Sequence, residues 1–342
     1  MRSAFRLVCL GLLAVACEPV HAQLSQPAVS LQLDGEPQTI QIPARALLYD
    51  PQCDSSGAIY VRYVPAGDSG PTKLVRAESD GSTQTIPPVA IPQGNDSHVF
   101  LFAVAGDDSL HEMLRVPVDD GNDTEVQYVS FDKDGSPRTQ AKFTDQMIPS
   151  MLLPLPNGDF FAAGVILQTA TGGVSEGPIA GIFSPDAQLK QRLQNTSSGL
   201  ARVSNADQNS SSDIPLEGAI IRLGGDGNLY ILLSADNARI EVLSQAGRVL
   251  RRMHLEQPFA NGVADDMFVS GNRLLVVYEG EADEGKNTLR YVVYDAQTGE
   301  VIRQYQPEFS GTAACFEDGD SVTVLVREPS SGAIAIGTAE LE

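Results

Sequence analysis

The chain has 342 residues, 42% of them hydrophobic, with no Trp, an aromatic fraction of 6% and a formal net charge of −21. Such an excess of negative charge argues against nucleic acid or an anionic lipid surface as partner, because each would be repelled. The apolar content is ample for a core, but so few aromatic rings leave little from which to build a stacked sugar site.

At the N-terminus, Arg2 and Arg6 precede an apolar run from Leu7 to Ala16 that is too short to span a bilayer. Val20-His21-Ala22 then presents small residues at the positions a signal peptidase reads, so residues 1–22 are expected to be a signal peptide cleaved before Gln23. The alternative is a lipid anchor on Cys17, which follows Ala14-Val15-Ala16. Cleavage removes Arg2, Arg6 and Glu18, two positive charges and one negative, and takes the net charge from −21 to −22. No later run is apolar enough to cross a membrane, and the expectation is a secreted or periplasmic monomer.

The remainder, 23–342, is punctuated by a recurring turn. Asp34-Gly35, Asp80-Gly81, Asp134-Gly135, Ala246-Gly247 and Thr298-Gly299 mark it, and Asp186-Ala187 fills the missing place, giving steps of 46, 54, 52, 60 and 52 residues. Strands that alternate apolar and polar residues flank most of these turns, as in Leu74-Val75-Arg76-Ala77 and Tyr291-Val292-Val293-Tyr294, and that pattern is a hairpin. A second set of turns, Ser56-Gly57, Asn157-Gly158, Asp226-Gly227, Ser270-Gly271 and Asp318-Gly319, opens more continuous apolar runs such as Leu229 to Leu233 and Val322 to Val326. Those runs read as strands buried on both faces. In the second unit, His98 to Val104 takes this buried role without the Gly.

Each unit is therefore four antiparallel strands, and a period of about fifty residues stacks them. The expected fold is all-β, a single six-bladed propeller. Asp34-Gly35-Glu36-Pro37-Gln38-Thr39-Ile40 matches Asp80-Gly81-Ser82-Thr83-Gln84-Thr85-Ile86, so the N-terminal segment 28–42 should supply the outer edge of the C-terminal blade and close the ring. Ala333 to Leu341 reads equally as the third strand of that blade or as a fifth. Two stretches break the period, the acidic Asp107 to Glu125 and the polar insertion Asn195 to Asp213, and both read as surface loops.

Cys53 lies four residues before Gly57, and Cys315 lies four before Gly319. Equivalent places in the first and last blades put them on neighbouring inner strands and predict a disulfide, against the alternative of two buried thiols.

Chemistry is harder to find. His98, His111 and His254 fall in no pairing pattern with a nucleophile. Cys and His do not cluster at transition-metal spacing. Asp119-Asp120-Gly121-Asn122-Asp123-Thr124-Glu125 lacks the calcium-loop spacing. The remaining candidates lie where inner strands begin, beside the central funnel. Glu217-Gly218-Ala219 and Asn261-Gly262-Val263 each start ten residues before a turn Gly, at 227 and 271, and Ser310 and Arg45 stand at or beside matching starts.

The Glu-Gly and Asn-Gly pair resembles the gluconolactonase-like propellers of the regucalcin family, within a broader likeness to NHL-type propellers. The resemblance implies metal ligation, with calcium as a possible metal, by Glu217 and Asn261. Ala44, Ile148 and Ser310 stand where that family has further ligands or matching starts. Two functions are thus expected. One is an exported binding or scaffold module that recognises a protein or envelope component without catalysis. The other is a divalent-metal-dependent, lactonase-type hydrolase acting in the funnel. The sparse acidic and amide residues at the blade starts favour binding.

Overall fold

A computed structural model of the chain describes residues 27–67, 72–87, 98–117, 124–168, 177–196, 199–202, 219–233, 238–281 and 287–341. Two short strands come first, β1 (Val29–Leu31) and β2 (Gln38–Thr39). Blade 1 then runs through β3 (Leu47–Cys53), β4 (Ile59–Val64), β5 (Lys73–Ala77) and β6 (Thr83–Ile86). Blade 2 holds β7 (His98–Val104), β8 (Leu110–Pro117), β9 (Thr124–Phe131) and β10 (Pro137–Lys142). Blade 3 holds β11 (Gln146–Pro154), β12 (Phe160–Gln168), β13 (Gly177–Phe183), β14 (Leu189–Thr196) and an added β15 (Gly199–Arg202).

Blade 4 is β16 (Ile220–Leu223), β17 (Leu229–Leu233), β18 (Arg239–Leu243) and β19 (Val249–His254). Blade 5 is β20 (Val263–Ser270), β21 (Arg273–Glu281), β22 (Asn287–Asp295) and β23 (Val301–Pro307). Blade 6 is β24 (Gly311–Glu317), β25 (Ser321–Arg327) and β26 (Ile334–Glu340), completed on its outer edge by β2. In blades 1 to 5 the first four consecutive strands form an antiparallel meander, so the turn after the first strand and the turn after the third open on the same face of the ring. The six-bladed all-β propeller expected from the turn repeat is the observed fold.

The repeat is a backbone requirement. Gly81 sits at φ +84°, a left-handed conformation that costs glycine nothing, and a Cβ there would meet the Thr39 carbonyl oxygen at 2.6 Å. Ala187 takes the matching place in blade 3 at φ 59°, so the residue that broke the glycine pattern keeps its conformation. Second strands are buried on both faces as read: Leu229, Tyr230, Ile231 and Leu232 of β17 are all at 1% exposure or less. Among the described residues, each pair of neighbouring blades shares its own core. The one between blades 4 and 5 contains Tyr230, Met267, Tyr278 and Tyr294, whereas the one between blades 1 and 2 is built on only four buried residues, Tyr60, Leu74, Phe102 and Leu110.

Closure differs in one respect from the sequence reading. β2 joins blade 6 through Gln38↔Ile336 and Thr39↔Ala335, with Asp34 and Ile40 donating their amides to Thr338 and Ile334. β1, within the same 28–42 segment, instead pairs in parallel with β23 and widens blade 5. The segment spans two blades because Leu31 is drawn into the core between blades 5 and 6 beside Tyr291 and Tyr305. β26 is the third strand of its blade, which resolves the status of Ala333 to Leu341.

Two further expectations are corrected. His98–Val104 is the innermost strand of blade 2, and the buried second strand is β8, inside the stretch that read as an acidic loop. The turn between them is Asp107-Asp108, where Asp108 reaches φ 63° and does the work of the absent Gly. The polar insertion also contributes structure, since β14 extends to Thr196 and pairs with β15 through Leu193↔Arg202 to Thr196↔Gly199. Residues 203–213 of it lie outside the described residues. The disulfide between Cys53 and Cys315 is present, with α-carbons 5.7 Å apart on β3 and β24.

Candidate functional site

The funnel is lined by first strands, and five of the six carry a β-bulge, with Asp50-Pro51, Phe100, Ser150, Asp265 and Ala314 as the extra residues. A bulge bends its strand and re-aims a side chain. In β3 it places Asp50 at φ 47°, where its carboxylate accepts from Arg62 at 2.7 Å, and the Arg62 guanidinium lies 5.7 Å from the Tyr49 ring centroid. In blade 5, Asp266 accepts from Arg222 of blade 4 at 2.5 Å. Burial raises the Asp266 carboxyl above its usual range even against the pull of Arg222. Asp50 and Asp266 are thus engaged by arginines from neighbouring strands.

Of the residues singled out from the sequence, Asn261 is exposed in the turn that leads into β20, and Ser310 is exposed directly before β24. Arg45 is exposed at φ 64° ahead of β3, with its amide donated to the Gly332 carbonyl. Each enters a different blade. Glu217, the other proposed metal ligand, lies outside the described residues, as do Cys17 and Asp119 to Asp123. Among the described residues there is no group of three or more His, Cys, Asp or Glu that could hold a metal ion.

Blade 2 carries a polar chain that the sequence did not reveal. Ser109 donates to Asp107 at 2.5 Å, Ser109 and His111 Nε2 are 2.9 Å apart, and His111 Nδ1 is 2.6 Å from the Tyr128 hydroxyl. The serine has one proton and spends it on Asp107. His111 Nε2 therefore donates to Ser109, and Nδ1 accepts from Tyr128. Burial depresses the imidazole to about 4, with Asp107 opposing and Arg138 reinforcing the shift, so it stays neutral at pH 7. This polarity is the reverse of a base that activates a serine, and Ser109 is only 1% exposed. The chain is structural and is capped by Tyr128 stacked on Phe160 at 4.0 Å.

On the other face of β8 the wedge between blades 1 and 2 opens into a cleft of about 850 Å³. Strand register puts two rows of side chains across it. Gln52, Tyr60, Arg76 and Gln84 are paired neighbours across blade 1, and Phe102, Glu112, Val129 and Gln140 are paired neighbours across blade 2. Near the axis the rows are tied together, because Gln52 donates to the Phe102 carbonyl and accepts from the Val104 amide, each at 3.0 Å. Farther out they diverge.

Four of the charged residues on the walls, Asp54, Arg76, Asp132 and Arg138, stand in ion pairs. Arg76 lies 5.8 Å from the Tyr60 centroid and donates to Asp54 at 2.7 Å and to Glu78. Burial works to raise Asp54, but hydrogen bonds from Ser56 and Arg76 outweigh it and hold the carboxyl low. Arg138 donates to Asp107 at 2.9 Å and to Asp132. Asp107 likewise falls to about 2, as Ser109 and Arg138 overcome its desolvation. Glu112 differs: it is 1% exposed, its Oε2 has no hydrogen-bond partner, and burial alone pushes its carboxyl up to about 7. Its signal in sequence was the His111-Glu112 pair inside an otherwise apolar run, legible once Asp107-Asp108 is recognised as the turn.

No family model matches this chain, and no curated protein does. Solved structures match it in fold. Prolyl oligopeptidase B from Galerina marginata aligns with a TM-score of 0.50 at 9% identity, over 87% of this chain and 51% of that one. A luciferin-regenerating enzyme aligns at 0.44 and 9% identity, over 89% and 94% of the two chains. A protein of unknown function from Bacteroides caccae aligns at 0.44 and 12% identity, over 77% and 82%. At such identities the likeness is one of fold, shared by proteins of mixed function.

Proposed function

We propose that this chain is an exported binding module that holds a ligand of protein or envelope origin in the wedge between blades 1 and 2, without chemistry at that site. The observation that carries this reading is the cleft itself. It has a volume suited to a small molecule or a few side chains, an apolar floor of Tyr60, Leu110 and Phe131, and a small number of placed polar groups. Its arginines are locked to carboxylates and so supply fixed shape and field. Export rests on the signal-peptide pattern of residues 1–22, and a disulfide between the outermost blades of the chain suits an oxidising compartment. Kinship with the NHL-type propellers rests on the repeat, and any link to the gluconolactonase-like branch rests on the Glu217-Gly218 and Asn261-Gly262 motifs.

The test is differential capture. Mature protein is immobilised and exposed to solubilised envelope of the source organism, beside a Gln140→Trp variant that fills the cleft and a Ser310→Trp variant that fills the funnel mouth. A component held by the parent and by Ser310→Trp but lost by Gln140→Trp is the expected result. Loss with Ser310→Trp alone, or equal retention by all three, overturns the assignment to the cleft.

A further inference from the structure

We propose that the cleft between blades 1 and 2 is a receptor for a protonated amine on an apolar stem, with Glu112 as the anion that receives it. The proposal rests on the reading of this cleft as the ligand site and adds the chemical class of the ligand.

Three observations carry it. The first is the unpartnered oxygen. A carboxyl buried among Tyr60, Phe102, Leu110 and Val129 with its Oε2 unpartnered is costly in its charged form, and the environment that penalises it also strengthens its attraction to any cation that arrives. The second is the balance of charge. Asp54, Asp108, Glu112, Asp132 and Asp134 line the cleft against Arg76, Lys133 and Arg138, five acids to three bases. Because Arg76 and Arg138 already serve Asp54, Glu78, Asp107 and Asp132, neither answers Glu112. The third is the floor: Leu110 with Ile86 and Phe131 offers an apolar bed beside the carboxyl, which suits an alkyl or aryl stem and would waste a fully hydrated ion. An anionic ligand meets the wrong sign on both counts.

Binding then exchanges a proton. The amine arrives charged, Glu112 ionises to meet it, and the carboxyl proton passes to solvent, so affinity rises with pH across the interval in which free Glu112 is protonated. The other groups around the cleft with displaced titrations move away from neutrality: Asp54 and Asp134 are held low, while Tyr60, Arg76 and Arg138 are held high. Asp108, Asp132 and Lys133 complete the charged set on the turns. His111, next to Glu112 in sequence, turns to the opposite face and bonds to Ser109 and Tyr128.

The amine could come from a small alkylamine or from the lysine of a peptide, and calorimetry with both separates the sources. The probes are n-hexylamine, its neutral isostere n-hexanol, and a capped Phe-Lys-Phe tripeptide, titrated at pH 5.5 and pH 8 in two buffers of different ionisation heat. The expected result is saturable binding of at least one amine at pH 8, at least tenfold tighter than hexanol, about thirtyfold weaker at pH 5.5, with proton release revealed by the buffer dependence. Preference for the tripeptide over hexylamine assigns a protein source, and the reverse assigns a small molecule. Glu112→Gln, close to isosteric, should lose at least tenfold and abolish the proton release. Gln140→Trp, which leaves Glu112 in place, should also block binding. If neither amine binds, if hexanol matches them, or if Glu112→Gln binds unchanged, the amine receptor is overturned. A captured envelope component that is still lost with Gln140→Trp would leave the cleft as the site while this ligand class falls.

Discussion

Glu112 and His111 are consecutive on β8, point to opposite faces, and are displaced in opposite directions by the same burial. His111 titrates near 6.5 in an unfolded chain but near 4 when folded, so between those values acid protonates only the unfolded form, and stability falls as pH falls. Glu112 starts near 4.5 and is lifted to about 7. Its contribution is whole below pH 4.5 and is lost as pH rises through 7, because the unfolded carboxylate ionises first. Comparison of Glu112→Gln with the parent isolates the second effect. The variant's stability relative to the parent should climb between pH 4.5 and pH 8 by on the order of 3 kcal/mol, read from urea unfolding at the two pH values. A difference that stays flat would mean that the carboxyl is solvated.

At the level of strands and turns, the glycine period serves two demands at once. Gly81 turns the chain from β5 to β6 and also lets that turn seat against Thr39 of β2, the strand that closes the ring. Gly247 and Gly299 meet the fourth strands of blades 3 and 4 in the same way, at Leu193 and at Met253. Gly81→Val should therefore cost about 3 kcal/mol, from backbone strain and a clash with a carbonyl that cannot swing away. Ala187→Gly, at an equivalent turn already occupied by a methyl group, should stay within about 1 kcal/mol. Denaturant midpoints of the two variants check this, and equal losses would mean that neither the left-handed φ nor the contact with Thr39 sets the pattern.

The same turns explain what was legible. A residue forced to φ near +80° leaves a mark in sequence whatever surrounds it: Gly35, Gly81, Gly135, Gly247 and Gly299, with Ala187 in the missing place, count the blades, and Gly57 and Gly319 align Cys53 with Cys315. β8 stayed hidden because Asp108 adopts the left-handed turn without being Gly, and because His111, Glu112 and Arg115 disguise a strand whose Met113 and Leu114 are fully buried. β1 has three residues and pairs with a strand more than 270 positions away, so nothing local announces it. The cleft was out of reach for a different reason: it is a shortage of packing between two blades, and no single segment encodes a shortage.

For the molecule as a whole, the weak point of any ring is its seam. Here the seam between blades 6 and 1 is held by the Cys53–Cys315 bond on the inner strands, by the two-residue ladder of β2 on the outer edge, and by Arg327, which donates to the Ala46 carbonyl at 2.7 Å. The bond joins residues 262 apart, for which the chain-entropy model gives on the order of 5 kcal/mol. A Cys53→Ser, Cys315→Ser double variant should unfold at markedly lower denaturant than the parent, and reduction of the parent should reproduce the loss. Peptide mapping without reductant identifies the pair, and two alkylatable thiols in the native protein would contradict it.

The first strands of this protein are synthesised first and satisfied last. β1 must wait for β23 and β2 for β26, so these two strands have no strand partner until nearly the whole chain has been made. Blades 1 to 4 contain all of their own strands and are free to form in order as they appear. The ends then meet around a stack that already exists. A chain cut short between Pro307 and Ile334 keeps the strands of five blades and loses its ring.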